Sequence, residues 1–263
     1  MTRRHGNFLY ISKQSVFAVL YRLYNHCWAL LIEVIALSKI YIPTVSADQW
    51  AQFLAEPSKQ WRTGYSARAL AHSWQEANGF PAEIQLAFEQ SNHFKNIELL
   101  LAIPEHKVPL PGGSRASQND VWVLARANGN LVSIAVEGKV SESFGPTLAE
   151  WLAEESPGKT ARLAYLRREL GLADGLYLPN SIRYQLLHRT ASAIIEAKRF
   201  GAHQAMMLVH SFSQSQEWFE DYAAFASLFH AEVAIGQVVD AGSCGGIQLS
   251  LGWVCGDAKY LTA

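Results

Sequence analysis

The chain has no excess of basic charge: 22 Lys+Arg stand against 23 Asp+Glu, for a net charge of −1 at pH 7. That balance excludes a protein drawn as a whole to a polyanion, so any nucleic-acid contact has to be a local patch. Cysteine is scarce. Cys27, Cys244 and Cys255 are an odd number without CxxC spacing, which excludes a disulfide framework and a structural zinc site and fits a reducing cytoplasm. The apolar N-terminal stretch Met1 to Leu37 is interrupted by Lys13, Arg22 and Glu33, so no uncharged run of membrane-spanning length exists, and no cleavage site follows a compact apolar core. No membrane association is expected. Residues 1–39 read as an extension, either an added amphipathic helix or a poorly ordered segment. A non-Met start upstream of Ile40 would leave them out of the native product. Repeats and low-complexity tracts are absent too, and with 49% hydrophobic residues in 263 the rest, 40–263, is expected as one domain with one substantial core.

Tyr41 to Thr44 reads as a short extended piece, and Ser46 as the cap of a helix starting Ala47-Asp48-Gln49-Trp50. Residues 66–77 form a helix stopped by Asn78-Gly79, and Pro81 opens another that carries Glu83 and Glu89. Ile97 to Ile103 suits a buried strand, followed by a Pro/Gly-rich loop from Pro104 to Gly113. Pro146 to Leu172 is helical with a break at Ser156-Pro157-Gly158, and Ser181 to Arg199 is a long helix ended by Gly201. Ala205 to Phe212 reads as a central strand, and Gly246 to Val254 as a further strand in which Ile247, Leu249, Leu251 and Trp253 alternate. The order implies an α/β fold with a mixed sheet covered by helices.

Asp120 to Arg126 and Leu131 to Lys139 flank Ala127-Asn128-Gly129-Asn130, and Asn-Gly is the strongest short-range signal for a two-residue type I′ turn. With Asn128 and Gly129 as the loop, paired residue numbers sum to 257 and Asp120 falls opposite Glu137. Cross-strand Cβ atoms lie roughly 4.5 to 5.5 Å apart, so two carboxylates there repel unless a cation separates them. All-oxygen ligation suits Mg²⁺ or Mn²⁺, held by Asp120 and Glu137. Alternation puts Lys139 on the same face, with Val132, Ile134 and Val136 on the other. These parts suit phosphodiester hydrolysis, with the metal acidifying a water that Lys139 orients. An acid two residues before a Lys is, taken alone, also what a solvated ion pair on an exposed strand looks like.

The chain here resembles the PD-(D/E)xK, or restriction-endonuclease-like, superfamily, whose core runs helix, three strands, helix, strand (αβββαβ). The resemblance covers roughly Pro81 to Phe212. It implies Asp120 as the first acid and Glu137-Gly138-Lys139 as ExK, with Asn119 where the family usually has Pro. It further implies an accessory acid from the first core helix, Glu83 or Glu89, and polar residues from the helix after ExK, where Gln185, His188 and Arg189 stand and could meet a phosphate backbone. A nucleic-acid substrate, DNA first, follows from the same resemblance, as does a homodimer or a larger defence or repair assembly as a setting. The alternatives are a catalytically silent member serving as a binding or assembly module, and a hydrolase of smaller phosphate esters. The chain is also similar to a group of uncharacterised bacterial proteins carrying Trp61-Arg-Thr-Gly-Tyr-Ser-Ala-Arg68 early and Gln185-Leu-Leu-His-Arg-Thr190 late.

Other motifs are weaker. Ala153 to Thr160 meets a permissive P-loop pattern, but helical spacing precedes it where a strand is required. His203 and His210, seven apart on a strand, face opposite ways and are expected to be structural. Cys244, in a Gly-rich turn, is a candidate nucleophile only if His230 approaches it, and is expected to be inert. The tryptophans are expected as core and interface anchors.

Overall fold

The computed structural model describes residues 46–172 and 175–263. The expectations for residues 1–39 and for the extended piece at 41–44 lie outside them. Helix α1 (Ser66–Ala77) ends where Asn78 turns left-handed at φ 45°, and α2 (Ala82–Gln90) follows Pro81, as the stop and start signals indicate. Ser46 precedes a 3-10 helix, Ala47–Phe53, without donating or accepting a capping bond through its side chain.

Six strands form one sheet: β1 (Glu98–Val108), β2 (Ser117–Ala127), β3 (Asn130–Lys139), β4 (Gln204–Ser211), β5 (Gln237–Cys244) and β6 (Ile247–Cys255). They are ordered β1-β2-β3-β4-β6-β5. The outer pairs β1–β2, β2–β3 and β5–β6 are antiparallel, while β3–β4 and β4–β6 are parallel, so the sheet is mixed and β4 is central. A parallel β3–β4 pair needs a long crossover. Helices α3 (Leu148–Leu152), α4 (Pro157–Glu169) and α5 (Tyr184–Phe200) supply it, and α5 ends at Gly201 with φ 68°. Helix α6 (Phe219–Ala226) and strand β5 were not read from the sequence; only two of the eight β5 residues are buried, so it carries no apolar run to detect.

Two corrections concern breaks. Ser156, expected to terminate a helix at the break there, instead begins one: its side chain accepts the Lys159 N–H at 3.2 Å and Pro157 takes the first turn, where its missing N–H costs nothing. The segment after Ile103 is not loop either, because β1 runs on through Pro104 to Val108. As the first strand in the order, β1 is an edge, and an edge tolerates a residue that cannot donate. For the same reason Ile97 to Ile103 is not the buried strand its composition suggested.

Both sheet faces are covered. Val121, Val123, Val132, Ile134, Val136, Met206 and Leu208 pack with α1 and α2. Ala135, Met207, Val209, Leu249, Leu251 and Trp253 pack with α5, α6 and the end of α4. Odd-numbered β3 residues therefore point toward α5. Among the described residues, no helix is long and apolar enough to cross a membrane.

Candidate active site

The β2–β3 hairpin forms as its sequence directs. Asn128 and Gly129 have φ of 50° and 79°, the paired left-handed conformations of a type I′ turn, and every β2–β3 pair from Ala127–Asn130 to Val121–Val136 keeps the sum of 257. One step further the register sets Asp120 across from Glu137, and there the backbone ladder gives way. Asp120 Oδ2 instead accepts the Gly138 N–H at 2.7 Å, satisfying a donor the ladder leaves. Gly138 permits this approach: a Cβ on it would meet Leu70 Cδ2 at 3.3 Å and Asp120 Oδ2 at 3.4 Å.

Glu137 and Lys139 are buried, 2% and 4% exposed. Lys139 Nζ donates to Glu137 Oε1 at 2.7 Å and lies 4.8 Å from the Phe144 ring centre. Helix α5 completes the cluster. Gln185 Nε2 donates to Glu137 Oε1 at 2.6 Å, and Arg189 Nε donates to Glu137 Oε2 at 2.6 Å. Residues one helical turn apart lie on one face, which is why Gln185 and Arg189 grip the same carboxylate. They therefore line the site from inside rather than forming an outward face for a phosphate backbone. His188 stands apart from the cavity, its Nδ1 2.8 Å from Ser117 Oγ, which also accepts from Arg189 at 3.3 Å. Burial, with the Arg189 and Arg162 charges adding to it, holds the His188 pKa well below the usual histidine range. Neutral His188 thus helps fix Arg189.

The accessory acids expected from the first core helix do not join. Glu83 lies on the opposite sheet face, where its Oε1 is 2.9 Å from His210 Nε2, and Glu89 is exposed on α2. The acid that does join is Glu105 of β1. Every β1–β2 pair from Leu101–Leu124 to Val108–Ser117 sums to 225, so Glu105 stands across from Asp120. Its backbone is left-handed, φ 54°, an uncommon state for a residue with a side chain and one that clusters at functional sites. Gln118 Nε2 donates to its Oε2 at 2.6 Å. The signal for Glu105 was present in the sequence as an acid just past Pro104, hidden by reading that proline as the end of the strand.

Glu105, Asp120, Glu137, Lys139, Gln185 and Arg189 line one cavity of about 370 Å³. Burial raises the Asp120 carboxyl well above its usual range, and the Glu137 and Glu105 charges add to the rise. Burial likewise raises Glu105, to about 7, against the Gln118 hydrogen bond. At Glu137 burial acts in the same upward direction, but Arg189 and Lys139 outweigh it and hold the carboxylate below its usual range. Glu105, Asp120 and Glu137 thus face Lys139 and Arg189, and Glu137 takes both cations for itself; of the other charged residues lining the cavity, Glu142 accepts the Ser66 and Val140 N–H groups and Lys59 pairs with Glu56.

No group of three His, Cys, Asp or Glu side chains is gathered closely enough to hold a metal ion, among the described residues. The donor set nevertheless fits a hard divalent cation: all the acids are oxygen donors, no hydrogen bond from the described residues engages Asp120 Oδ1, and Mg²⁺ commonly needs only one or two carboxylates besides water and phosphate oxygens.

A family model described as a domain of unknown function, DUF6946, matches residues 43–258. The chain belongs to this family. Within that DUF6946 span lie the whole sheet, the cavity and the Trp61–Arg68 segment. No curated protein and no solved structure matches the chain.

The remaining motifs stay outside the site. Ala153 to Thr160 follows the short helix α3, not a strand, which rules out a P-loop. His210 is buried between Glu83 and Trp74, whose Nε1 donates to His210 Nδ1 at 3.3 Å, while His203 is exposed. Cys244 is buried, donates to the Leu170 carbonyl at 3.1 Å and has its thiol pushed up to about 11 by burial, so it is no nucleophile at neutral pH. Trp74, Trp122 and Trp253 anchor the core, as expected of the tryptophans.

Proposed function

We infer that this chain is a metal-dependent phosphodiester hydrolase with a restriction-endonuclease-like core. The observation that carries the reading is the convergence of Asp120 from β2, Glu137 and Lys139 from β3, and Gln185 from α5 in one cavity. The order of α2, β1, β2, β3, α5 and β4 supports the core assignment, being helix, three strands, helix, strand.

Asp120 and Glu137 are the residues to hold Mg²⁺ or Mn²⁺, with Glu105 as a third oxygen donor beside them. When bound, the cation polarises a phosphodiester oxygen and acidifies a water. Asp120 keeps one oxygen on the Gly138 N–H, which fixes the carboxylate's direction toward the cavity. Lys139, 2.7 Å from Glu137 Oε1 and 3.3 Å from Gln185 Oε1, carries the charge that orients the attacking water or offsets charge developing on phosphate. Arg189 holds Glu137 ionised.

One observation favours a second reading, a binding module without catalysis: both Glu137 oxygens are already engaged by Arg189, Lys139 and Gln185. The two readings separate in one assay. Labelled single- and double-stranded DNA and RNA are incubated with the protein and Mg²⁺ or Mn²⁺. Cleavage by wild type that disappears in Lys139→Ala, with folding unchanged, is the expected result; no cleavage of any of the four substrates refutes hydrolysis and leaves the binding module.

A further inference from the structure

The segment Trp61–Arg68 interleaves basic and aromatic residues and has no part in the acid cluster. Tyr65 and Ser66 line the same cavity as Asp120 and Lys139, together with Lys59 and Gln60 just before them. Tyr65 is 40% exposed, one of few large apolar side chains left so, whereas the acids and Lys139 that line the same cavity are buried or half-buried. The Arg62 guanidinium lies 5.9 Å from the Tyr65 ring centre, and Arg68 lies 5.8 Å from the Trp61 ring. Gly64, with φ 83°, makes the turn that presents Tyr65 before α1 begins.

The size of the cavity narrows what can enter. About 370 Å³ sits at the small end of ligand pockets, roughly 300–1,000 Å³. That is room for one nucleotide and not for a paired duplex, from which a nucleotide must first be unstacked and extruded. An exposed ring with a cation against it is the element that single-strand binders use, since every base offers a π face whatever its identity. Lys59 is already paired with Glu56, and the chain as a whole carries no basic excess.

We propose that the substrate is an unpaired polynucleotide strand, seated with a base stacked on Tyr65 at the mouth of the cavity and its phosphodiester directed toward Lys139. The proposal rests on the hydrolase reading for the direction of the phosphodiester, but the stacking on Tyr65 does not depend on cleavage. Because stacking rather than charge supplies the affinity, binding falls less steeply with salt than it does for proteins that neutralise many phosphates.

The test is binding of the full chain in EDTA to fluorescein-labelled oligothymidylate and oligouridylate of about 16 nucleotides. A DNA duplex of equal length is measured alongside. The expected result is binding to at least one of the two single strands about ten-fold or more tighter than to the duplex. Tyr65→Ala weakens it about ten-fold with unchanged circular dichroism; Tyr65→Phe retains it, and Arg62→Ala gives a smaller loss. Duplex bound as tightly as the single strands, affinity indifferent to Tyr65→Ala, or no binding to either strand overturns the proposal. Tyr65-dependent binding without Mg²⁺-dependent cleavage overturns the hydrolase reading and leaves this one standing. Cleavage that is indifferent to Tyr65 does the reverse.

Discussion

At the carboxyl end of β3 and β4 the sheet separates two polar clusters that meet opposite fates. On the α2 face, His210 of β4 takes one hydrogen bond from Trp74 on Nδ1 and holds Glu83 through Nε2. Burial there lowers the His210 pKa in spite of Glu83, so the ring is neutral and the cluster closes on itself. On the α5 face, Glu137 and Lys139 belong to a set of three acids and two cations that opens on a cavity. Gly138, the residue between them, pairs with His210 in register, so the two clusters sit at the same level of the sheet. The difference is that one cluster satisfies its own groups and the other leaves Asp120 and Glu105 with raised pKa values that an added cation would lower. Polar burial by itself therefore does not mark a site; an unbalanced charge that faces open space does.

If that contrast holds, the largest effect falls on hydrolysis. Lys139→Ala and Glu137→Gln are expected to lower single-turnover cleavage about 10³-fold, the scale of losing one preorganised charge at a reacting centre, whereas Glu83→Gln leaves it unchanged. Equal losses in all three variants would erase the contrast. The next effect is on stability. Arg189→Ala leaves buried Glu137 Oε2 without its donor while Lys139 still pairs Oε1, and should cost about 3 kcal/mol in urea unfolding. On the other face, Glu83→Ala leaves the His210 Nε2–H without its acceptor at about 1–3 kcal/mol, with no loss of cleavage.

The smallest effect is in pH. Glu105, raised to about 7, contributes stability that is complete below the unfolded glutamate range and is lost as pH rises through about 7. The depressed His188 and His210 act in the opposite sense over an overlapping range, since the unfolded chain protonates them more readily. The difference between wild type and Glu105→Gln isolates the carboxyl. In EDTA, the urea midpoint of wild type should fall relative to Glu105→Gln between about pH 5 and pH 7.5, and Mg²⁺ should flatten that difference. A difference that is flat in EDTA would mean that Glu105 is not held protonated.

What was legible in the sequence was local. Asn128-Gly129 specified the turn, the turn specified the register, and the register brought Asp120 to Glu137 without any knowledge of the rest of the fold. Gly201 and Asn78 marked helix ends for equally local reasons. What was not legible depended on strand order. The place of β1 at the edge allows Pro104 inside a strand and so brings Glu105 across from Asp120. The side of the sheet taken by α2 puts Glu83 with His210 and away from the acids, although the family resemblance implied the reverse. Gln185 and Arg189 were identifiable as a pair one turn apart, but only the packing of α5 on β3 shows that both are spent on Glu137.

The most direct test of the unbalanced site is calorimetric titration of the metal-free full chain with Mn²⁺. Asp120→Asn, which retains an oxygen for the Gly138 N–H, and Glu83→Gln are titrated in parallel. Saturable binding by wild type and Glu83→Gln that is lost in Asp120→Asn is expected; no binding by wild type, or binding undiminished in Asp120→Asn, would contradict a cation site at the Asp120–Glu137 junction.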